Sequence, residues 1–185
     1  DVCSSDLIAR AFKARGSRIL YFAGYRDGAD VFKRDDVEAW ADQVIYATDR
    51  GDEVLPRRDQ DVHFRGNIVQ AMAAYARGQI GGGVFAFRDV KRIVAIGSDR
   101  MMAAVREARH GVLAPYLGEH RAIGSINSPM QCMMKEVCAQ CLQRHVDPVT
   151  GKETLVFSCL NQDQELDHVD FRSEEHTSEL QSPYV

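Results

Sequence analysis

Four short apolar runs recur along the chain, each separated from the next by a segment with helical character. They are Arg18-Ile-Leu-Tyr-Phe-Ala-Gly24, Gln43-Val-Ile-Tyr-Ala-Thr48, Arg92-Ile-Val-Ala-Ile96 and Arg121-Ala-Ile-Gly-Ser-Ile126. Runs of this length, rich in β-branched and aromatic residues, predict buried strands. Residues 8–15 predict the end of a helix, stopped by Gly16. Residues 35–42 predict another, with acidic side chains in the first turn, where the helix dipole favours them. Residues 67–76 predict a third, and a fourth runs from Met101 to about His110. The charged stretch 52–63, which includes Pro56, predicts a loop, and Gly78 with Gly81-Gly-Gly83 predicts a break. Alternating strands and helices predict an α/β fold, a parallel sheet flanked by helices.

In such sheets ligands bind beyond the carboxyl ends of the strands. Gly24, Thr48, Asp49 and the turn Gly97-Ser98-Asp99-Arg-Met101 occupy those positions. Gly97 removes a side chain where a ring could approach. The helix beginning near Met101 offers free N–H groups to an anion. Asp49 suits a ribose hydroxyl, and Arg26 suits a 2′-phosphate. Glycine after a strand is also plain turn chemistry, and Asp49 also suits a helix cap.

The ends of the chain change the composition. Residues 1–7 back-translate as GAC GTG TGC TCT TCC GAT CT, whose reverse complement reads Arg-Ser-Glu-Glu-His-Thr-Ser, the sequence from Arg172 onward. Both ends, 1–7 and 172–185, therefore resemble a sequencing-library adapter read through as coding sequence. The expected native part is residues 8–171, a fragment of a longer protein. Without the ends, Lys plus Arg falls from 23 to 22 and Asp plus Glu from 27 to 22, so the formal charge moves from -4 to zero. That balance provides no basic excess for nucleic acid. No apolar run reaches the roughly 18 residues of a membrane span.

Four cysteines remain: Cys132, Cys138, Cys141 and Cys159. Three fall within ten residues and the fourth returns after a short loop. Confinement to one ligand-like cluster fits a reducing cytoplasm better than a disulfide framework. Four thiolates suit either an iron–sulfur cluster or a structural zinc. Spacing alone leaves both open. A zinc-stabilised structural or docking domain of a larger enzyme is thus one reading of the chain.

Three motifs carry a resemblance. Ile96-Gly-Ser-Asp-Arg-Met-Met102 resembles the Cys/Ile-Gly-Pro-x-x-Met motif beside the nicotinamide in the ferredoxin-reductase-like family. Phe64-Arg-Gly66-Asn67-Ile-Val69 resembles that family's Gly-x-Val segment opening a helix. Ser125-Ile-Asn-Ser-Pro-Met-Gln-Cys132 is similar to the Ser-Leu-Glu-x-x-Met-x-Cys entry to a [2Fe–2S] site. That entry occurs in the electron-transfer subunit of dihydroorotate dehydrogenase B, in sulfide dehydrogenase and in fusions like the small chain of glutamate synthase.

The resemblance covers residues 8–171. It implies a partial NAD(P)-binding domain over 8–127 and an iron–sulfur segment over 128–171. Nucleotide contacts would come from Gly24, Thr48, Asp49, Gly66, Asn67, Gly97, Ser98, Asp99 and Met101, and cluster ligands from the four cysteines. It implies an NAD(P)H-dependent oxidoreductase that passes electrons between nicotinamide, FAD and a [2Fe–2S] cluster. The FAD would be held mainly by an upstream domain, with a redox partner subunit or fused flavoprotein domain beside it. Two departures stand out. Five residues without glycine separate Cys132 from Cys138, where the family has four with glycines, and Ser98 replaces the family's proline.

Overall fold

The computed structural model describes residues 2–82, 84–126 and 132–171, the first three as backbone only. Most of the motif entry to Cys132, the 127/128 boundary and the 172–185 tail lie outside the described residues. The chain divides into two compact units. One holds the chain to Val90 with Ala108–Glu119; the other holds Lys91–Glu107 and the chain from His120.

The first unit is a parallel sheet of β1 (Leu20–Tyr25), β2 (Gln43–Thr48) and β3 (Val62–Arg65), in that spatial order. All six residues of the central β2 are buried, which explains its unbroken apolar run. Val44 and Tyr46 join a core with Ala9 of α1 (Val2–Lys13) and Val37, Trp40 and Ala41 of and after α2 (Arg34–Trp40). Trp40 meets Tyr21 edge-on at 5.0 Å. The helix α3 (Ile68–Ala76) packs on β1 and β2 and buries Ala71, Met72, Ala73, Ala74 and Tyr75. A β-carbon on Gly24 would stand 3.5 Å from Ile68.

Polar side chains complete this unit. The amide of Gln43 donates to the carbonyls of Gln60 at 2.6 Å and Gly81 at 2.7 Å, and its oxygen accepts from Tyr75 at 2.7 Å. Arg58 grips Asp61 and donates to the carbonyls of Glu38 and Ala41, while Asp61 accepts from the N–H of Val44 at 2.8 Å. The loop over 52–63 is therefore pinned to the sheet by its own charges.

In the second unit β4 (Arg92–Ile96) and β5 (Arg121–Ser125) pair in parallel, and β8 (Asp163–Glu165) adds antiparallel to β5. The helix α4 (Asp99–His110) begins here and buries Met102 and Val105. A β-carbon on Gly124 would stand 3.1 Å from Leu166 and 3.5 Å from the sulfur of Met102, so glycine lets these side chains close on the strand. A hairpin of β6 (Leu142–Val146) and β7 (Glu153–Phe157) runs antiparallel from Leu142↔Phe157 to Val146↔Glu153. Asp147 accepts from the N–H groups of Val149 at 2.8 Å and Thr150 at 3.0 Å, which forms the hairpin turn.

The α/β class and the parallel pairing agree with expectation; the single sheet does not. The strands fall into separate sheets, and β5 is bounded by an antiparallel strand. Val62 and His63, expected to end the 52–63 loop, form β3 together with Phe64 and Arg65, because this short alternating stretch pairs with Ile45–Thr48 of β2. The helix α1 runs through residues 2–7, the stretch that resembles an adapter, and Ser5 is buried there, hydrogen-bonded to the Tyr21 hydroxyl.

Candidate functional site

The carboxyl ends of β1, β2 and β3 bring Gly24, Thr48, Asp49, Gly66 and Asn67 together. The ladder continues into the loops: Asp49 N–H donates to Tyr25 at 3.3 Å, Arg50 to Arg26 at 3.0 Å, and Gly66 to Thr48 at 2.9 Å. Asp49 is exposed at this rim. Thr48 is not: it is fully buried, with its hydroxyl 2.8 Å from His63 Nε2 and 3.2 Å from the donating Nη1 of Arg65. Asn67 caps α3, accepting from Gln70 N–H at 2.9 Å while Gln70 accepts from Asn67 N–H at 3.0 Å. Two of the donors that an anion could use are thereby engaged.

Sequence reasoning missed the acid that organises this rim. Asp27 Oδ1 accepts from the N–H groups of Ala29 and Asp52, each at 3.0 Å, and these bonds hold its carboxyl below the usual range. Gly28 N–H donates to Asp52 at 3.0 Å. The paired Asp-Gly and Arg-Gly-Asp turns were the available signal. His63 and Arg65 were missed with the strand that carries them; both face Glu53, at 3.9 Å and 3.5 Å.

In the second unit Gly97, Ser98, Asp99 and Met101 form the start of α4. Ser98 Oγ accepts from the N–H of Met101 at 3.3 Å and so caps the start of α4. The methyl of Met101 folds over Gly97, where an added β-carbon would stand 2.5 Å from it. The space expected for an approaching ring is filled by this flexible side-chain end.

All four cysteines are free thiols, and they occur as two pairs. Cys141 and Cys159 are buried, their sulfurs 3.2 Å apart, with Cys141 donating. Cys141 stands just before β6, and its carbonyl accepts from Ser158 N–H at 2.9 Å. The β6–β7 ladder thus sets this pair. Cys159 is pushed up to about 11 by its own thiol's hydrogen bond with Cys141, by burial and by the negative charge of the neighbouring Cys141 and Cys132.

Cys132 is more exposed and behaves oppositely. The N–H groups of Cys138, Val137 and Lys135 and the thiol of Cys138 all point at its sulfur, which lowers it to about 6. The chain turns inward without glycine. Met133, Met134, Glu136 and Ala139 adopt left-handed backbone angles, φ 54°, 63°, 56° and 56°. Such angles cost about 1 kcal/mol or more each, and strained backbone clusters at functional sites. Among the described residues, no three His, Cys, Asp or Glu side chains form a group that could hold a metal ion. His145 and His168 stack edge-on at 6.3 Å, and His145 bonds Gln164.

No family model matches the chain. A stretch of 49 residues, 26% of the chain, is 45% identical to an uncharacterised protein of Rickettsia prowazekii (strain Madrid E), of which it spans 6%. Among the described residues, no helix is long and apolar enough to cross a membrane.

Proposed function

We propose that residues 8–171 are part of a cytoplasmic, flavin-dependent NAD(P)H oxidoreductase, with Cys132, Cys138, Cys141 and Cys159 holding a [2Fe–2S] cluster. The observation that carries this reading is the disposition of the thiols in two pairs, one of them wrapped by backbone N–H groups. A two-iron cluster takes four thiolates, two to each iron. Structural zinc takes four around one point, and is the competing reading. Such a cluster, when bound, supplies one-electron uptake and release.

The chain's own residues supply the setting. The N–H groups that face Cys132 favour its thiolate, and hydrogen bonds of this kind also tune a cluster's potential. Burial of Cys141 and Cys159 keeps water from the second pair. Asp49, exposed at the rim, would accept from a ribose hydroxyl. Gly97 would admit a ring once the Met101 methyl swings aside. No side chain is required as a general acid or base. FAD would be held by a further domain or by a partner subunit.

Metal and acid-labile sulfide analysis of anaerobically purified protein tests the reading. Iron and sulfide in equal amounts, roughly two of each per chain, with a brown colour, is the expected result. Zinc without sulfide would replace it with the structural zinc domain. Cys138→Ser should sharply reduce the visible absorption; unchanged absorption and iron would remove Cys138 from the ligand set.

A further inference from the structure

We propose that Cys141 and Cys159 join in a reversible disulfide when the site is empty, and that this bond keeps the site closed until a reductant opens it. The closing function rests on the iron–sulfur reading above; the bond itself does not.

The sulfurs are 3.2 Å apart, and a disulfide needs about 2.0 Å. The remaining approach is small because the β6–β7 ladder holds the two chain ends side by side. Leu142 pairs with Phe157, and Ser158 N–H is bound to the Cys141 carbonyl at 2.9 Å. The two cysteines therefore flank the open end of a hydrogen-bonded hairpin, and side-chain rotation supplies the rest. Both are buried, which excludes bulky oxidants such as glutathione disulfide and admits a small peroxide.

With hydrogen peroxide the step balances. One sulfur attacks a peroxide oxygen, the O–O bond breaks, and a sulfenic acid and water form. The second sulfur attacks the first, the S–S bond forms, the S–O bond breaks, and a second water leaves. Two thiols lose two electrons, peroxide gains them, and both thiol protons end in water. The product removes two of the four thiolates from the ligand set. A small thiol returns them by exchange and leaves as its own disulfide; a phosphine attacks one sulfur, breaks the S–S bond and, with water, leaves as the phosphine oxide while both thiols regain their protons.

Peptide mapping of the full chain tests the bond. The protein is stripped of metal with a chelator, exposed to stoichiometric hydrogen peroxide, alkylated and digested with trypsin. Cys138 and Cys141 share the peptide 136–144, so fragmentation must place the link. The expected product joins Cys159 to Cys141 with Cys138 alkylated, and it persists in the Cys132→Ser, Cys138→Ser double variant. Cys159 joined to any other cysteine, or found alkylated while other cysteines oxidise, overturns the proposal.

A second measurement reads the closure. The crosslinked and the phosphine-reduced chains receive a brief exposure to stoichiometric ferrous iron and sulfide. At least tenfold more iron and sulfide retained by the reduced chain supports the gate. Equal uptake overturns it. Uptake by neither chain overturns the gate together with the iron–sulfur reading, while the peptide map still decides the disulfide.

Discussion

The guanidinium of Arg58 holds both carboxylate oxygens of Asp61, at 2.7 Å and 2.8 Å, and the Asp61 side chain is wholly buried. The same guanidinium closes the end of α2 through the carbonyls of Glu38 and Ala41. One cation thus joins loop, helix and central strand. Arg58→Met leaves a buried carboxylate without its partner and should cost about 3 kcal/mol. Urea unfolding checks this. A loss of only a few tenths would mean that the pair is an ordinary surface contact.

His63 predicts a pH effect. Burial holds its imidazole below the usual 6.5, although Glu53 pulls it up. The folded state then binds the proton less readily than the unfolded chain. His63 contributes stability that is present above pH 6.5 and is lost as pH falls through the lower folded value. His63→Gln should lose less stability than the parent between pH 7.5 and pH 5. Parallel curves for the two proteins would refute this assignment.

Gly51 and Gly151 separate two costs of left-handed backbone. Both have φ +68°. A β-carbon at Gly51 would stand 1.6 Å from Asp27 Oδ2, while Gly151 has nothing within 4 Å. Gly151→Ala should cost about 1 kcal/mol, from backbone alone. Gly51→Ala must also displace Asp27 from the N–H groups of Ala29 and Asp52, and should cost about 3 kcal/mol. Equal midpoints for the two variants would show that Asp27 moves freely.

The loop around Cys132 should respond to glycine in the opposite sense. Met134 and Glu136 are exposed and left-handed. Replacing both with glycine relieves about 2 kcal/mol of backbone strain, part of which is offset by the greater freedom of the unfolded chain. A net gain of about 1 kcal/mol in thermal or urea unfolding is expected. A loss would show that these side chains make contacts worth more than the strain.

Much of the first sheet was legible. β2 falls on its apolar run residue for residue, because a strand covered on both faces is mostly apolar; β4 of the second unit also falls on its run, although only Ala95 of it is buried. α3 was legible from the composition of residues 67–76; that Asn67 caps it was not. β3 was not: four residues with one charge and one histidine carry little pattern, and they become a strand only by pairing with β2. Thr48 was expected to face a ligand. The partner strand that supplies His63 and Arg65 turns it inward, and that partner was the strand not foreseen. Arg58 read as part of a solvated charged loop for the same reason: Asp61, three residues on, is unremarkable until Val44 lies beside it.

By itself the sequence determined where chain segments are apolar enough to be covered, where turns must fall, and that four thiols lie close in the chain. These are local properties, set by burial free energy and backbone preference over a few residues. Tertiary structure decided which thiols pair, which carboxylates are buried, and which loop residues bear left-handed strain. Those outcomes rest on contacts such as Gln43 with Gly81 and Cys141 with Cys159, between residues 38 and 18 positions apart. Whether such a contact forms depends on how the intervening chain closes, and no local pattern encodes that closure.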